Sequence, residues 1–454
     1  MHSEPPGKSD AKPAPVGFRT ALLWWLKLGF ISFGGPAGQI SIMHQELVEK
    51  RRWISERRFL HALNYTMVLP GPEAQQLATY IGWLMHGHWG GIVAGSLFVL
   101  PSLLILAGLT WLYLAYGDVS FVAAVLYGIK PVVTAIVVHA AWRIGKTALQ
   151  SASLALLALS SFLAIFLFDV PFPLIVIAAA AAGFIGSRLA PDQFRLGGSG
   201  HQARRDYGPA LIDDDSPPPR HAQFSRRRFT LQLVCGILLW ALLISLLLFW
   251  FGPDGVLSQM AWFFSKAAML TFGGAYAVLP YVYQGGVEQY GWLTGPQMID
   301  GLALGETTPG PLIMIVAFVG FVGGWSKEIF GPELLPLAGM AGALVATLFT
   351  FLPSFLFILV GGPLVEASRD EIRLTAPLAA VTAAVVGVIL NLAVFFAGHV
   401  MWPQGLDGSF ENYAAVVGLL AGLALFYGRM GILTVLIFGM LAGLAHTFLP
   451  PYFN

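Results

Sequence analysis

Four Gly/Pro clusters interrupt stretches that are otherwise apolar. Phe33-Gly34-Gly35-Pro36 and Pro70-Gly71-Pro72 break two of them, and Phe272-Gly273-Gly274 and Pro309-Gly310-Pro311 break two more. Proline lacks an amide donor and stops a helix, while glycine lets the backbone turn freely. A helix that restarts inside a membrane presents unpaired amides and a partial positive charge, and such an end binds anions. Pro36, Pro72 and Pro311 suit the first helical position, where a missing amide costs nothing. In the second Gly-Gly copy Ala275 stands in place of proline. Glycines admit a small oxyanion close to the backbone, and Ser32 and Thr271, just before two of the breaks, add hydroxyls.

Lys27 and Lys266 lie inside apolar segments. An unpaired charge there costs about 2.5–3.5 kcal/mol on insertion scales, so its retention points to a pathway or a partner. Snorkelling to an interface is the plain alternative. The candidate anion-binding set is therefore Lys27, Ser32, Gly34, Gly35, Pro70, Gly71, Pro72, Lys266, Thr271, Gly273, Gly274, Pro309, Gly310 and Pro311. Glu73 follows one Pro-Gly-Pro and Glu306 precedes the other by three residues. A carboxylate at a helix start also satisfies the dipole. Burial favours its neutral form, which suits Glu306, and Glu73 beside it, to carry protons. Asn64, Gln75 and Gln76 are further cavity donors. The one cysteine, Cys235, excludes an internal disulfide and a CxxC metal site, and reads as a packed thiol. Asp213-Asp214-Asp215 reads as a solvated linker patch. No metal, cofactor or nucleic acid is expected.

These residues recur as a set. Residues 27–78 laid ungapped on 266–317 match at 13 of 52 positions, including both Gly-Gly pairs, both Pro-Gly-Pro triplets and both lysines. Leu100-Pro101-Ser102 returns as Leu352-Pro353-Ser354, and Val133-Thr134-Ala135 as Val381-Thr382-Ala383, with a spacing grown in the 327–337 loop. Paired Gly/Pro-interrupted segments in two halves point to a secondary transporter whose site lies between the halves.

The elements that must position them are membrane helices. The chain is 56% hydrophobic and 11% charged, against about 25% charged in a soluble domain. Thirteen apolar segments can be drawn. The expected fold class is an all-α polytopic membrane protein with two inverted-topology repeats and broken, re-entrant helices. Its expected parts are a disordered tail (1–16), a first repeat (17–187), an arginine-rich flexible linker (188–228), a linking helix (229–255), a second, inverted repeat (256–448) and a short tail (449–454). Trp24, Trp25, Trp83, Trp89 and Trp111 fit aromatic belts. Cytoplasmic loops keep lysine and arginine. If each broken segment returns to its own side, 21 of the 25 basic residues face the cytoplasm. If each crosses once, five basic residues around 50–58 move outside. Either way the halves are inverted. The N-terminus and linker then face the cytoplasm and the C-terminus the periplasm of a bacterial inner membrane.

At Phe33-Gly34-Gly35-Pro36, Trp53, Pro70-Gly71-Pro72 and their second copies, the chain resembles the chromate ion transporter family, long two-domain type. The likeness spans nearly all of residues 18–448 except the linker. It implies an inner-membrane exporter of chromate with antiparallel halves, sulfate being the look-alike substrate. The expected mechanism is alternating access, with the anion held by the amide-bearing helix starts and by Lys27 and Lys266, and proton exchange through Glu306. The expected partners are chromate or a sulfate-like oxyanion, protons, the lipid bilayer and a second copy in a homodimer. A transporter of sulfate or another tetrahedral oxyanion, a passive anion channel and a membrane-embedded lipid-phosphate enzyme are the alternatives. The enzyme would need an acid–base or metal constellation that the apolar segments lack.

Overall fold

The computed structural model describes residues 12–33, 35–117, 119–194, 207–214, 216–217, 219–272, 275–367, 375–405, 407–428 and 430–449. The tail 1–11, Gly34, Gly273, Gly274, linker residues 195–206, Asp215, Arg369, Arg373, Arg429 and residues 450–454 lie outside them. The chain is all-helical, as a lipid-facing backbone must be when it cannot close a barrel. In order come α1 (Phe18–Ile31), α2 (Gly35–His44), α3 (Glu56–Val68), α4 (Glu73–Tyr116), α5 (Ser120–Ala148), α6 (Ala152–Phe168), α7 (Phe172–Leu189) and α8 (Arg226–Phe251). The second half continues with α9 (Val256–Leu270), α10 (Leu279–Tyr283), α11 (Gly295–Thr307), α12 (Ile315–Ser326), α13 (Leu335–Ala367), α14 (Thr375–Met401), α15 (Asn412–Phe426) and α16 (Ile432–Phe448). Among the described residues, six helices are long and apolar enough to cross a membrane.

The sequence repeat is also a repeat of local geometry. After α2 the chain widens into a π-type turn over Gln45–Lys50, and the same turn follows α10 over Gln284–Gln289. Trp53 N donates to the Leu47 carbonyl at 2.7 Å, and Trp292 N to Gly286 at 2.7 Å. The residue before each tryptophan is left-handed, Arg52 at φ 52° and Gly291 at φ 57°. Ser55 caps α3 by accepting from Arg58 N; Thr294 caps α11 by accepting from Gln297 N, completed as a capping box. The members of each pair stand at the same repeat offset, so one folding rule operates twice.

α4 is two antiparallel arms. His86 and Gly87 leave helical geometry, Gly87 at φ 66°. A Cβ on Gly82 would meet the Gly90 carbonyl and Ala94; one on Gly95 would meet Thr79 and Gln75. That register is a hairpin. α12 and α13 form the matching one, with Gly320 against Gly342 and Gly324 against Ala338. Their connection, residues 327–334, is the longer insert that stretches the later repeat spacing.

The other helices pack across the repeats. α5 lies against α15 and α16, and α14 against α6 and α7. Small residues allow this: a Cβ on Gly128 would sit 2.1 Å from the Gly439 carbonyl, and one on Gly387 1.9 Å from that of Ala158. Close approach through small residues is how helices associate in lipid, where the solvent supplies no hydrophobic drive. Gly387→Ala should therefore overpack the α6–α14 seam at a cost of roughly 1–3 kcal/mol, seen as a lower melting temperature in detergent. An unshifted melt would refute that packing. The result is two bundles, one of α1–α4 with α9–α13 that carries all four breaks, and one of α5–α7 with α14–α16.

Three readings of the sequence are corrected. Cys235 is exposed, because α8 turns nearly all its apolar surface outward and is apolar to suit lipid rather than a protein core. Trp24, Trp25 and Trp83 are buried, packed against Trp53, one another and Tyr80, while Trp89 and Trp111 are exposed as belt residues are. The linker is not loose throughout. Leu211 N and Ile212 N donate to the Arg52 and Trp53 carbonyls at 2.9 and 3.0 Å, and Ser55 Oγ reaches Asp214 at 2.5 Å.

Candidate functional site

The four breaks meet. Gly71 N donates to the Thr271 carbonyl at 2.7 Å, and Gly310 N donates to the Ser32 carbonyl at 2.7 Å. Gly71 and Gly310 are repeat mates, and so are Ser32 and Thr271. Each Pro-Gly-Pro therefore ties to the residue just before the opposite copy's Phe-Gly-Gly. The side chains behind the ties repeat the exchange. A Cβ on Gly71 would meet Ser354 Oγ at 2.3 Å, and one on Gly310 would meet Ser102 Cβ at 2.5 Å.

Each tie is shaped by its residues. Ser32 Oγ donates to the Leu28 carbonyl at 2.6 Å and Thr271 Oγ1 to Ala267 at 2.7 Å. These bonds turn the ends of α1 and α9 and leave the Ser32 and Thr271 carbonyls free to accept across the centre. Gly71 and Gly310 sit at φ +123° and +108°, where a side chain is strained. Gln39 Nε2 donates to the Gly310 carbonyl at 2.5 Å, and Gln76 Nε2 to the Pro70 carbonyl at 2.8 Å. Gly35, at φ +71°, starts α2 with open space where a Cβ would stand. Gly71, Pro72, Pro309, Gly310 and Pro311 are buried and Pro70 is half-buried.

The centre retains unused polar groups. Gln39 Oε1, Gln75 Oε1, Gln76 Oε1 and Ser102 Oγ are buried without a partner among the described residues. The first amides of α4 (Glu73–Gln75) have no intrahelical acceptor. Glu73 and Glu306 are half-buried, at the start of α4 and near the end of α11. Glu306 accepts from Tyr276 Oη at 2.5 Å, and Glu73 has no partner among the described residues. Lys27 and Lys266 do not join this cluster. Both are exposed on the outward faces of α1 and α9, with Lys266 Nζ 5.8 Å from the Trp262 ring centre. Gly34, Gly273 and Gly274 lie outside the described residues.

Sequence reasoning missed Gln39, Ser102, Ser354, Tyr276 and Asp300. A signal existed for the two serines, since Leu-Pro-Ser recurs in the repeat. The other three have no like residue in the opposite copy: Gln39 aligns with Val278, Tyr276 with Ala37 and Asp300 with His61. Recurrence therefore does not flag them.

The comparisons with known proteins match the chain in two parts. The chromate transporter family model matches residues 20–184 and 258–444, the two break-bearing halves. The chromate transport protein of Pseudomonas aeruginosa is 33% identical over 444 residues, 96% of this chain and 94% of its own. The probable chromate transport protein of Synechococcus elongatus is 29% identical over 371 residues, 82% of each chain. The chromate transport protein of Cupriavidus metallidurans is 28% identical over 385 residues, 84% of this chain and 82% of its own. No solved structure matches the chain. The family match falls on both halves and skips the linker, as the repeat itself does: this multi-pass membrane protein belongs to the chromate transporter family.

Proposed function

We propose that the chain is an inner-membrane secondary transporter that exports chromate by alternating access. The reciprocal ties Gly71 to Thr271 and Gly310 to Ser32 carry the reading, because they gather four helix interruptions into one buried centre. Chromate as cargo follows from what the relatives are named to transport. The anion sits against the free amides that open α2 and α4, with Ser102 Oγ as a hydroxyl donor. The site is built without Lys27 and Lys266.

Re-entrant, inverted halves are part of the proposal. Residues 16–18, 51–55 and 83–87 share one face of the protein with the linker. His86 reaches the Val16 carbonyl at 2.9 Å, Trp24 packs on Trp53, and His221 reaches the Trp83 carbonyl at 2.8 Å. These contacts support chain that enters at α1 and at α3 and returns to that face. It is the basic face, which puts it and the N-terminus in the cytoplasm and the C-terminus in the periplasm. Moving one charge through the membrane potential is worth about 2.3 kcal/mol per 100 mV, so a negative interior helps expel a dianion about twice as strongly.

Proteoliposome flux tests this. Vesicles preloaded with unlabelled chromate should transiently accumulate labelled chromate by counterflow, and mere equilibration would point to a passive channel. Excess sulfate should compete if the centre reads tetrahedral dianions generally. In the same assay Lys266→Ala should keep uptake within about threefold of wild type, as an exposed group outside the centre would. A much larger loss would return the lysine to the site.

A further inference from the structure

Lys130 and Asp300 form an ion pair, Nζ to Oδ1 at 3.3 Å, that joins the two bundles. Lys130 is on α5 and Asp300 on α11. Asp300 is only 4% exposed, and Tyr113 Oη on α4 donates to its Oδ2 at 3.0 Å. The pair floors a vestibule of about 730 Å³ whose wall includes Tyr127, Ser120, Gln297 and Thr447. This vestibule opens at the face away from the linker, where α4 ends and α5 and α11 begin. Below it lies the buried centre, since Asp300 and Glu306 share α11.

The pair has no counterpart at the opposite mouth. In the repeat register Asp300 corresponds to His61 and Lys130 to Leu378. The charged contact on the linker face, Arg58 with Glu366 at 3.2 Å, ties α3 to α13 inside one bundle and does not span the two. Among the described residues, Lys130 with Asp300 is the close ion pair that spans the bundles; toward the linker face Arg143 of α5 acts on Glu306 of α11 without a direct contact. A buried pair with one partner removed leaves an uncompensated charge that is relieved by hydration. Opening that mouth is the motion that hydrates it.

We infer that Lys130 and Asp300 are the latch of the outer mouth, and that Lys130 is the cation an exiting oxyanion takes up in exchange for Asp300. The latch rests on the alternating-access reading. It deepens it by naming one asymmetric closure, and it makes the outward passage depend on a substrate able to compete with a carboxylate for an ammonium. A dianion with several oxygens does so better than chloride.

The test uses full-length protein with Cys235→Ser, which removes the sole cysteine, and Ser102→Cys as reporter in the centre. Ser354→Cys serves as a second reporter on the opposite copy. A membrane-impermeant thiol reagent is applied from each side of oriented vesicles. Asp300→Asn should raise labelling from the outer side by about tenfold or more and leave inner-side labelling unchanged or lower. The exchange Lys130→Asp with Asp300→Lys should restore the wild-type pattern. Unchanged labelling in Asp300→Asn, or a rise from the inner side alone or from both sides, as general loosening would give, overturns the latch while alternating access stands. Absence of chromate counterflow in the parent protein, as an open channel gives, overturns alternating access, and the latch with it.

Discussion

Gly71→Ala and Gly310→Ala are each expected to reduce chromate flux to background. The reason is local and double. At φ +123° and +108° an L side chain is strained by about 1–3 kcal/mol. The added Cβ would also stand 2.3 Å from Ser354 Oγ and 2.6 Å from Gln76 Nε2 at position 71, or 2.5 Å from Ser102 Cβ at position 310. Overpacking of that kind adds roughly 1–3 kcal/mol. Neither neighbour can retreat freely, because Gln76 is held by the Pro70 carbonyl and Ser102 sits on α4 beside Pro101. The chain relieves the clash by moving the Pro-Gly-Pro, which breaks the tie to Thr271 or Ser32 and opens the centre. Flux in proteoliposomes and melting in detergent are the measurements. Gly71→Ala combined with Ser354→Gly should recover part of the stability and little of the flux, because the backbone strain stays. A Gly71→Ala protein that transports at the wild-type rate would remove the cross-tied centre from the mechanism.

Glu306→Gln is expected to abolish the pH dependence of transport. An ionised Glu306 close to a bound dianion would repel it through low-dielectric protein, a repulsion that Arg143 on α5 offsets only in part. The dianion and a proton on Glu306 therefore bind cooperatively, and Tyr276 Oη at 2.5 Å fixes where the proton resides. The sign follows. Anion binding in the wild type should tighten as pH falls, by at most about tenfold per pH unit for one proton. Glutamine is neutral at every pH and mimics the protonated side chain, so its affinity should be flat across roughly pH 6 to 8. A proton gradient alone should then no longer drive uptake. If Glu306→Gln keeps the wild-type pH profile, Glu306 carries no coupled proton, and Glu73, unpartnered among the described residues at the start of α4, becomes the group to test.

The sequence by itself determined the class, the duplication and the four breaks. These are local or compositional properties. A run of roughly twenty apolar residues must be helical in lipid, proline removes a donor wherever it stands, and glycine permits positive φ without any neighbour's help. The same locality explains why Ser55 and Thr294 cap their helices alike and why Arg52 and Gly291 turn alike. It also explains why the family resemblance could be read from motif order.

What only the tertiary structure decided is which partner each break takes. That Gly71 reaches Thr271 rather than Ser32 is a long-range choice, made by the interleaving of two copies and invisible in either alone. The lysines show the limit from the other side. Recurrence marked Lys27 and Lys266 as a pair, but the face a helical residue presents depends on which neighbours bury the other faces, and α1 and α9 bury theirs against α4 and α13. Cys235 and the buried tryptophans mislead for the same reason, since an apolar residue suits protein core and lipid equally well. Lys130 and Asp300 are legible only as two unremarkable charges until packing sets them 3.3 Å apart. Composition decides that a segment enters the membrane; packing alone decides what it faces there.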